Sequence, residues 1–295
     1  MQTSLIFLAL MLSGTFFLGY NDVQRRKYLT QGINEQVLLV AIQIVSGALL
    51  LPLLILFGMP VIKEAFWPAF VGTTVLNLIS QNLFIRAFKL SEASQIAPLR
   101  LLIPPLVVVT GFLFLGEKAS LTGIAGILVT VIGLWILLFP NVTISRAGFA
   151  NVLRDRGVVY GLIGSVLFAT SFPLDKETVI SSSAVFATST AAIVVGVLTW
   201  LINQLQDRMF THRLTNAVVN TPGALFFTSL SYAAGIVLTN AAFNYALAAY
   251  ASSLKRLAAL WTVILAGTFL KERVGARLVA TAIMFAGILL TAFLR

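Results

Sequence analysis

The sequence predicts an all-α integral membrane protein whose ten transmembrane helices form two inverted five-helix repeats. Composition sets the class: hydrophobic residues make up 59% of 295 residues and charged residues only 10%, with a mean hydropathy of +0.97, well outside the range of soluble domains. The repeat sets the organisation. The offset that carries Glu117 onto Glu272 also carries the run from Ser94 to Phe139 onto that from Ala249 to Leu294, and Arg100 onto Lys255. Each copy has an apolar stretch of about 20 residues, a short acidic-basic turn (Gly116-Glu117-Lys118, Lys271-Glu272-Arg273) and a second apolar stretch containing glycine. A repeat with an odd number of spans inserts upside down relative to its partner.

Taken in order, ten apolar runs are long enough to cross about 30 Å of hydrocarbon: about 3–28, 35–58, 66–89, 93–115, 120–139, 157–179, 184–205, 221–246, 249–270 and 274–294. The first is read as a retained helix, because no basic residue precedes its apolar core from Leu5 to Leu18 and no small-residue cleavage site leads to a soluble domain. Gly58-Met59-Pro60 ends the second, and Pro98, Pro104 and Pro105 predict a kink in the fourth. Gly123, Gly126 and Gly133 in the fifth, with Gly287 in the tenth, allow close backbone approach, either inside the fold or at a dimer face. Pro140-Asn141 opens the longest polar connection, dividing the chain into a first repeat over 1–140, a connecting loop over 141–156 and a second repeat over 157–295. Thr221-Pro222 starts the eighth span after a polar loop with His212 and Arg213. Strand-like alternation is missing, which excludes a membrane β-barrel.

Charge and residue usage remove several function classes. Twenty basic against ten acidic residues give a net charge of +10, but no basic run exceeds Arg25-Arg26-Lys27, so nucleic acid is not an expected partner. The absence of cysteine and the single histidine, His212, argue against disulfides, thiol chemistry, metal centres and cofactors. There is no nucleotide-binding loop and no Ser–His pair, so neither primary transport nor enzymatic catalysis is expected. The basic residues instead read as topology signals. Connections after the odd-numbered spans hold thirteen of them: Arg25, Arg26, Lys27, Arg86, Lys89, Arg146, Arg154, Arg156, Arg208, Arg213, Lys271, Arg273 and Arg277. The opposite face, with both termini, holds only Lys63, Lys118 and Arg295, so the positive-inside rule places both termini outside the cytoplasm.

The remaining cations fall inside spans, where a charge costs about 2.5–3.5 kcal/mol on insertion scales and normally faces a partner or water. Lys255 and Arg256 sit roughly 9–11 Å into the ninth span, and Lys176 lies near the end of the sixth on the same membrane face. The three are therefore expected to enter one half of a common cavity, suited to a carboxylate or phosphate. Alternatively Asp175 or Glu177 neutralises Lys176, and the charges lock helix six to helix nine. In the first half Asp22 interrupts span one, and Arg100 lies near the start of span four. Asp22 is either a proton-coupling carboxylate or the partner of Arg100 or Arg86. Asn77, Gln81 and Asn82 on span three and Tyr232, Asn240 and Asn244 on span eight offer hydrogen bonds to a solute or between helices. Glu117 and Glu272, beside Lys118 and Arg273, are expected to be solvated turn charges.

These motifs resemble a known family. Leu90-Ser91-Glu92-Ala93-Ser94 entering a helix, Pro104-Pro105 within it, Leu115-Gly116-Glu117 at its end and a glycine-bearing helix beyond are similar to the EamA-type domain. Two such domains in tandem resemble a ten-helix member of the drug/metabolite transporter superfamily. The resemblance implies a secondary transporter, exporter or exchanger, that moves a small organic metabolite by alternating access, with or without coupling to protons. It implies a monomer or homodimer embedded in the lipid bilayer, and the proline pair and short first turn look like those of bacterial inner-membrane members. Ser252-Ser253-Leu254-Lys255-Arg256 is similar to the ninth helix of phosphate-exchanging plastid translocators of the same superfamily. Those proteins also carry a lysine near the end of helix six, as at Lys176, and a helix-eight tyrosine, as at Tyr232; their basic residues hold the substrate phosphate. The substrate-binding candidates are thus Lys176, Lys255, Arg256, Tyr232, Arg100 and Asn240, with Asp22 the coupling candidate. A flippase of a lipid-linked substrate, or a membrane-embedded enzyme, is the alternative reading. Family members usually keep both termini in the cytoplasm, opposite to the orientation that charge favours here.

The charge asymmetry makes a direct prediction. A C-terminal alkaline-phosphatase fusion should be active and the matching fluorescent-protein fusion dark, with Arg154 and Arg213 in the cytoplasm. Bright fluorescence without phosphatase activity would reverse the orientation.

Overall fold

The structure, a computed structural model, describes residues 2–90, 97–138, 155–269, 283, 286–287 and 290. Among these every regular element is helical. The start of span four, all but the last two residues of the loop expected over 141–156, Glu272 and most of span ten lie outside the described residues. The elements are α1 (Gln2–Thr30), α2 (Glu35–Phe57), α3 (Phe66–Leu90), a 3-10 segment (Ala97–Leu102) running into α4 (Ile103–Leu115), and α5 (Leu121–Leu138). The second half has α6 (Arg156–Ile180), α7 (Ala184–Gln206), α8 (Phe210–Asn220), α9 (Pro222–Ala241) ending in a 3-10 turn (Ala242–Asn244), α10 (Ala248–Leu254) and α11 (Leu257–Phe269).

Local chemistry fixes the helix ends. The Asn34 side chain accepts from the N–H groups of Gln36 and Val37 at 2.9 and 3.3 Å to start α2, and Asp155 accepts from Gly157 and Val158 to start α6. Gly116, at φ 64°, ends α4 in the left-handed conformation that a side chain disfavours. Its N–H bonds Phe112 O and that of Glu117 bonds Gly111 O, which turns the chain sharply and swings Glu117 back over the helix end.

Two elements differ from the sequence expectation. The polar loop before span eight is a helix, α8, because Phe210, Leu214 and Ala217 recur at helical spacing and pack on Val37, Val40 and Trp200, leaving His212 and Arg213 exposed. Span nine is not one helix but two. At Arg256 and Ala258 the backbone tightens to i→i−3 bonds, to Ser253 O and Lys255 O. The repeat offset superposes this break on the 3-10 segment at the start of span four. No proline lies in α10 or α11, so the broken span four is explained by Pro98 and Pro104-Pro105, and its counterpart is not.

Packing joins the halves rather than completing each one. The most extensive pairings are α3 with α6, α2 with α7, and α1 with α9 and α11. Span three on span six and span eight on span one are equivalent under the repeat, as are span four on span six and span nine on span one, which is the pattern of an inverted pair. Glycine sets the distance of closest approach. A Cβ on Gly47 would lie 2.6 Å from Ile193 Cγ1 and 3.0 Å from Ser189 O, and one on Gly196 would lie 2.7 Å from Ile44 Cγ1. Gly14 and Gly235 play the same part between α1 and α9: a Cβ on Gly235 would meet Gly14 O at 2.9 Å. Gly123, Gly126 and Gly287 are used inside the fold. Gly123 makes room for the Tyr250 ring, and a Cβ on Gly287 would meet Gly126 O at 2.8 Å.

Gly47→Val should therefore force α2 from α7 and cost about 1–3 kcal/mol of stability, as overpacked cores do. Gly223→Ala, where nothing lies within 4 Å, should melt like the parent. Melting in detergent compares the two.

Candidate functional site

The larger cavity, of about 740 Å³, lies between the halves and opens on the face that carries the odd-numbered, cation-rich connections. Its walls come from the ends of α1, α3 and α7, the start of α2, the middles of α6 and α9, the 3-10 segment of span four, and the break in span nine. Along α2 it runs from Glu35, the first residue, to Gln43, a depth of about 12 Å at the helical rise. The cavity thus reaches more than a third of the way along α2 and meets the irregular backbone of both broken spans at Arg100 and Arg256.

Three arginines face this space: Arg256 from the break between α10 and α11, Arg100 from the 3-10 segment, and Arg25 from the end of α1. Arg100 lies 4.3 Å over the Phe84 ring, which holds the guanidinium by its face. The Nε and Nη2 atoms of Arg256 and the Nε atom of Arg25 are buried without a hydrogen-bond partner. A buried, unsatisfied guanidinium N–H loses solvation with nothing in return, so these donors are set for an acceptor that enters the cavity. Tyr232, Gln43, Gln81, Asn82, Asn203 and Asn21 add hydroxyl and amide groups, and Glu35 is the carboxylate at the rim.

The candidates from sequence separate into two groups. Arg256, Arg100 and Tyr232 line the cavity together. Lys255, Asn240 and Lys176 do not line it. Lys255 points into the protein from the other side of the same break, donating to Asn240 Oδ1 at 3.2 Å with its ammonium 5.4 Å and 5.2 Å from the Phe172 and Phe243 ring centres. Asp175, which accepts from Thr73 Oγ1 at 2.5 Å, is the carboxylate whose charge acts on Lys255. Asn77, bonded to Thr73 and Ser171, and Thr188, bonded to Asn240, complete a buried polar network across α3, α6, α7 and α9.

Lys176 is farther out. Its ammonium donates to Glu117 Oε1 at 2.5 Å and to Ala246 O at 2.7 Å. The expected common cavity for Lys176, Lys255 and Arg256 is therefore corrected: consecutive helical residues diverge by a third of a turn, and Lys176 is drawn to Glu117 instead. Glu117 is correspondingly not a solvated turn charge, since its side chain is only 10% exposed. Neither Asp175 nor Glu177 is the partner of Lys176; Glu177 accepts from Ser181. Asp22 lies outside the cavity lining, its carboxylate 3.3 Å from Thr262 Oγ1. No group of metal-ligating side chains occurs among the described residues. Arg25 escaped the sequence reading because it belongs to a basic run at a span end. The available signal was its spacing: Asn21 and Arg25, four residues apart, share one face of α1.

Asp175 and Lys255 act on each other by charge across this network without an ion-pair contact, and each is anchored by its own hydrogen bond, to Thr73 and to Asn240. Asp175→Asn and Lys255→Gln should each lose about 1–3 kcal/mol of stability, and the double variant should lose less than the sum. A double-mutant cycle of melting in detergent measures the coupling.

Comparison with known proteins agrees with this architecture. No curated protein matches the chain in sequence. Among solved structures, one described only as "Crystal structure of protein" aligns with 99% of this chain and 97% of its own at a TM-score of 0.66 and 14% identity, a likeness of fold alone. The family described as EamA-like transporter family matches twice, over residues 5–139 and 155–293. With both repeats matched and nearly the whole length covered, the chain belongs to the EamA-like transporter family and is a multi-pass membrane protein with two EamA units in tandem.

Proposed function

We propose that this transporter carries a small organic anion, bearing a carboxylate or phosphate, by alternating access between two faces of a membrane, with the 740 Å³ cavity as its substrate chamber. The observation that carries the reading is Arg256, whose Nε and Nη2 are buried and unpartnered at the end of a cavity that Arg100 and Arg25 also line. A carboxylate or phosphate offers the paired oxygens that a guanidinium fork fits. The chamber walls mix Leu39, Ile42, Ile103 and Phe168 with the amides of Gln43, Gln81 and Asn82, which suits a solute with both apolar and hydrogen-bonding parts. Helix breaks inside the membrane, one in each half and related by the repeat, are the usual place for a transporter's substrate. Lys255 supports Arg256 from behind, and its ammonium is held by Asn240 and the Phe172 and Phe243 rings. The composition and short loops fit a bacterial inner membrane.

Arg256→Gln and Arg100→Gln are expected to insert and melt like the parent. Each should weaken binding of an anionic solute about 30-fold or more, the usual consequence of leaving one charge of a desolvated pair alone. Ligand-induced melting shifts with a panel of carboxylates and phosphate esters, followed by uptake in liposomes, provide the measurement. Parent-like shifts in both variants would remove the arginines from the site.

A further inference from the structure

We propose that the Glu117–Lys176 ion pair is the closed gate of the transport path on the face opposite the arginine cavity, and that Glu117 ties this gate to the substrate site through α10. The proposal rests on the transport reading above. A second opening, of about 500 Å³, indents that opposite face; Lys118, Ser120, Lys176, Phe243 and Tyr250 line it. Lys176 lines it and Glu117 is paired to Lys176 behind that wall, with side chains 14% and 10% exposed. Phe243 also lines this opening, and on the inner side its ring centre is 5.2 Å from Lys255 Nζ. The next residue, Arg256, faces the large cavity. Phe243 and Lys255 therefore stand between two openings that enter from opposite faces.

The bonding around Glu117 is that of a latch. One carboxylate holds three segments: Glu117, in the turn between α4 and α5, takes Lys176 Nζ of α6 on Oε1 and the Ala248 N–H of α10 on Oε2 at 2.8 Å. Lys176 in turn holds Ala246 O. Beside it Ser120 N–H donates to the Tyr250 hydroxyl at 3.0 Å, in the space left by Gly123. The Glu117 and Ser120 contacts run between the two halves. Apolar contact of the same size would seal as well but could not reopen toward water without exposing hydrocarbon. An ion pair at the edge of a wet opening exchanges its partner for water, and its net stabilisation is small because desolvation offsets attraction. The second property is leverage. α10 is seven residues, about 10 Å. Glu117 grips its first N–H, and Lys255 and Arg256 follow its last residue, so an anion drawn onto Arg256 acts on the same short rod that the gate holds.

The absence of cysteine supplies the test. Ser253, on α10, is fully buried and its hydroxyl has no hydrogen-bond partner, so Ser253→Cys is a near-isosteric reporter. Glu64→Cys, in the exposed loop of the same face, identifies vesicles in which that face is outward. With the gate intact, an impermeant thiol reagent added to that face should label the Ser253→Cys variant slowly. Glu117→Gln or Lys176→Gln should speed labelling about tenfold or more, as expected for losing a charged hydrogen bond from the closed state. Lys176→Gln keeps Glu117 on Ala248, so it reports on the pair even if Glu117→Gln does not fold. Melting and reactivity from the cavity face, both unchanged, exclude general unfolding. Unchanged labelling in folded Lys176→Gln overturns the gate. Since no solute is present, the outcome is independent of substrate: an opened gate with no anion binding at Arg256 would overturn the transport assignment and leave the gate standing.

Discussion

Hydrocarbon offers a polar side chain no partner, and here the partners lie on the opposite half of the molecule. Asn21 reaches Thr228 O at 2.7 Å, Ser80 reaches Gly164 O at 2.7 Å, Thr110 reaches Ala169 O at 2.9 Å and Thr73 reaches Asp175. Each of these bonds joins a first-repeat helix to a second-repeat helix. Glycines at the same seams bring the backbones close enough for short side chains to bridge. A single repeat would leave these groups unsatisfied in lipid, so the two copies are one folding unit despite being two sequence units.

The charges sort by the same rule. Lys255 and Arg256 are neighbours in sequence, yet one is enclosed with Asn240, Phe172 and Phe243 while the other meets a cavity. The tightened backbone between α10 and α11 lets adjacent side chains leave in different directions, and the surroundings decide their roles. Where protein supplies acceptors, the cation becomes structural. Where protein supplies none, as at Arg256 Nε and Nη2, the cation faces the cavity with buried donors unpaired.

The architecture was legible from hydropathy and the internal repeat because both are properties of whole segments. Partner choice was not. Lys176 stands next to Asp175 and Glu177 in sequence, but it pairs with Glu117, fifty-nine residues away, which the Gly116 turn folds inward. The break at Lys255 carries no proline to announce it; only its alignment with the proline-marked span four hints at it. The apolar stripe of α8 is only Phe210, Leu214 and Ala217 in an otherwise polar segment, so composition alone predicts a loop there. Sequence thus named the cations that enter the membrane and missed how tertiary contact divides them.

The inverted repeat has one further consequence. The operation that exchanges the two halves carries Arg100 onto Lys255, so the irregular segments of the two halves do not bear the same headgroup. Arginine offers a rigid planar fork and lysine a mobile point charge. The difference divides their work: Arg100 lies over the Phe84 ring at the cavity wall, whereas Lys255 is held inside the protein by Asn240 and leaves Arg256, one position on, to face the opening. Two ends that the fold makes equivalent are thereby made chemically unequal by single residues.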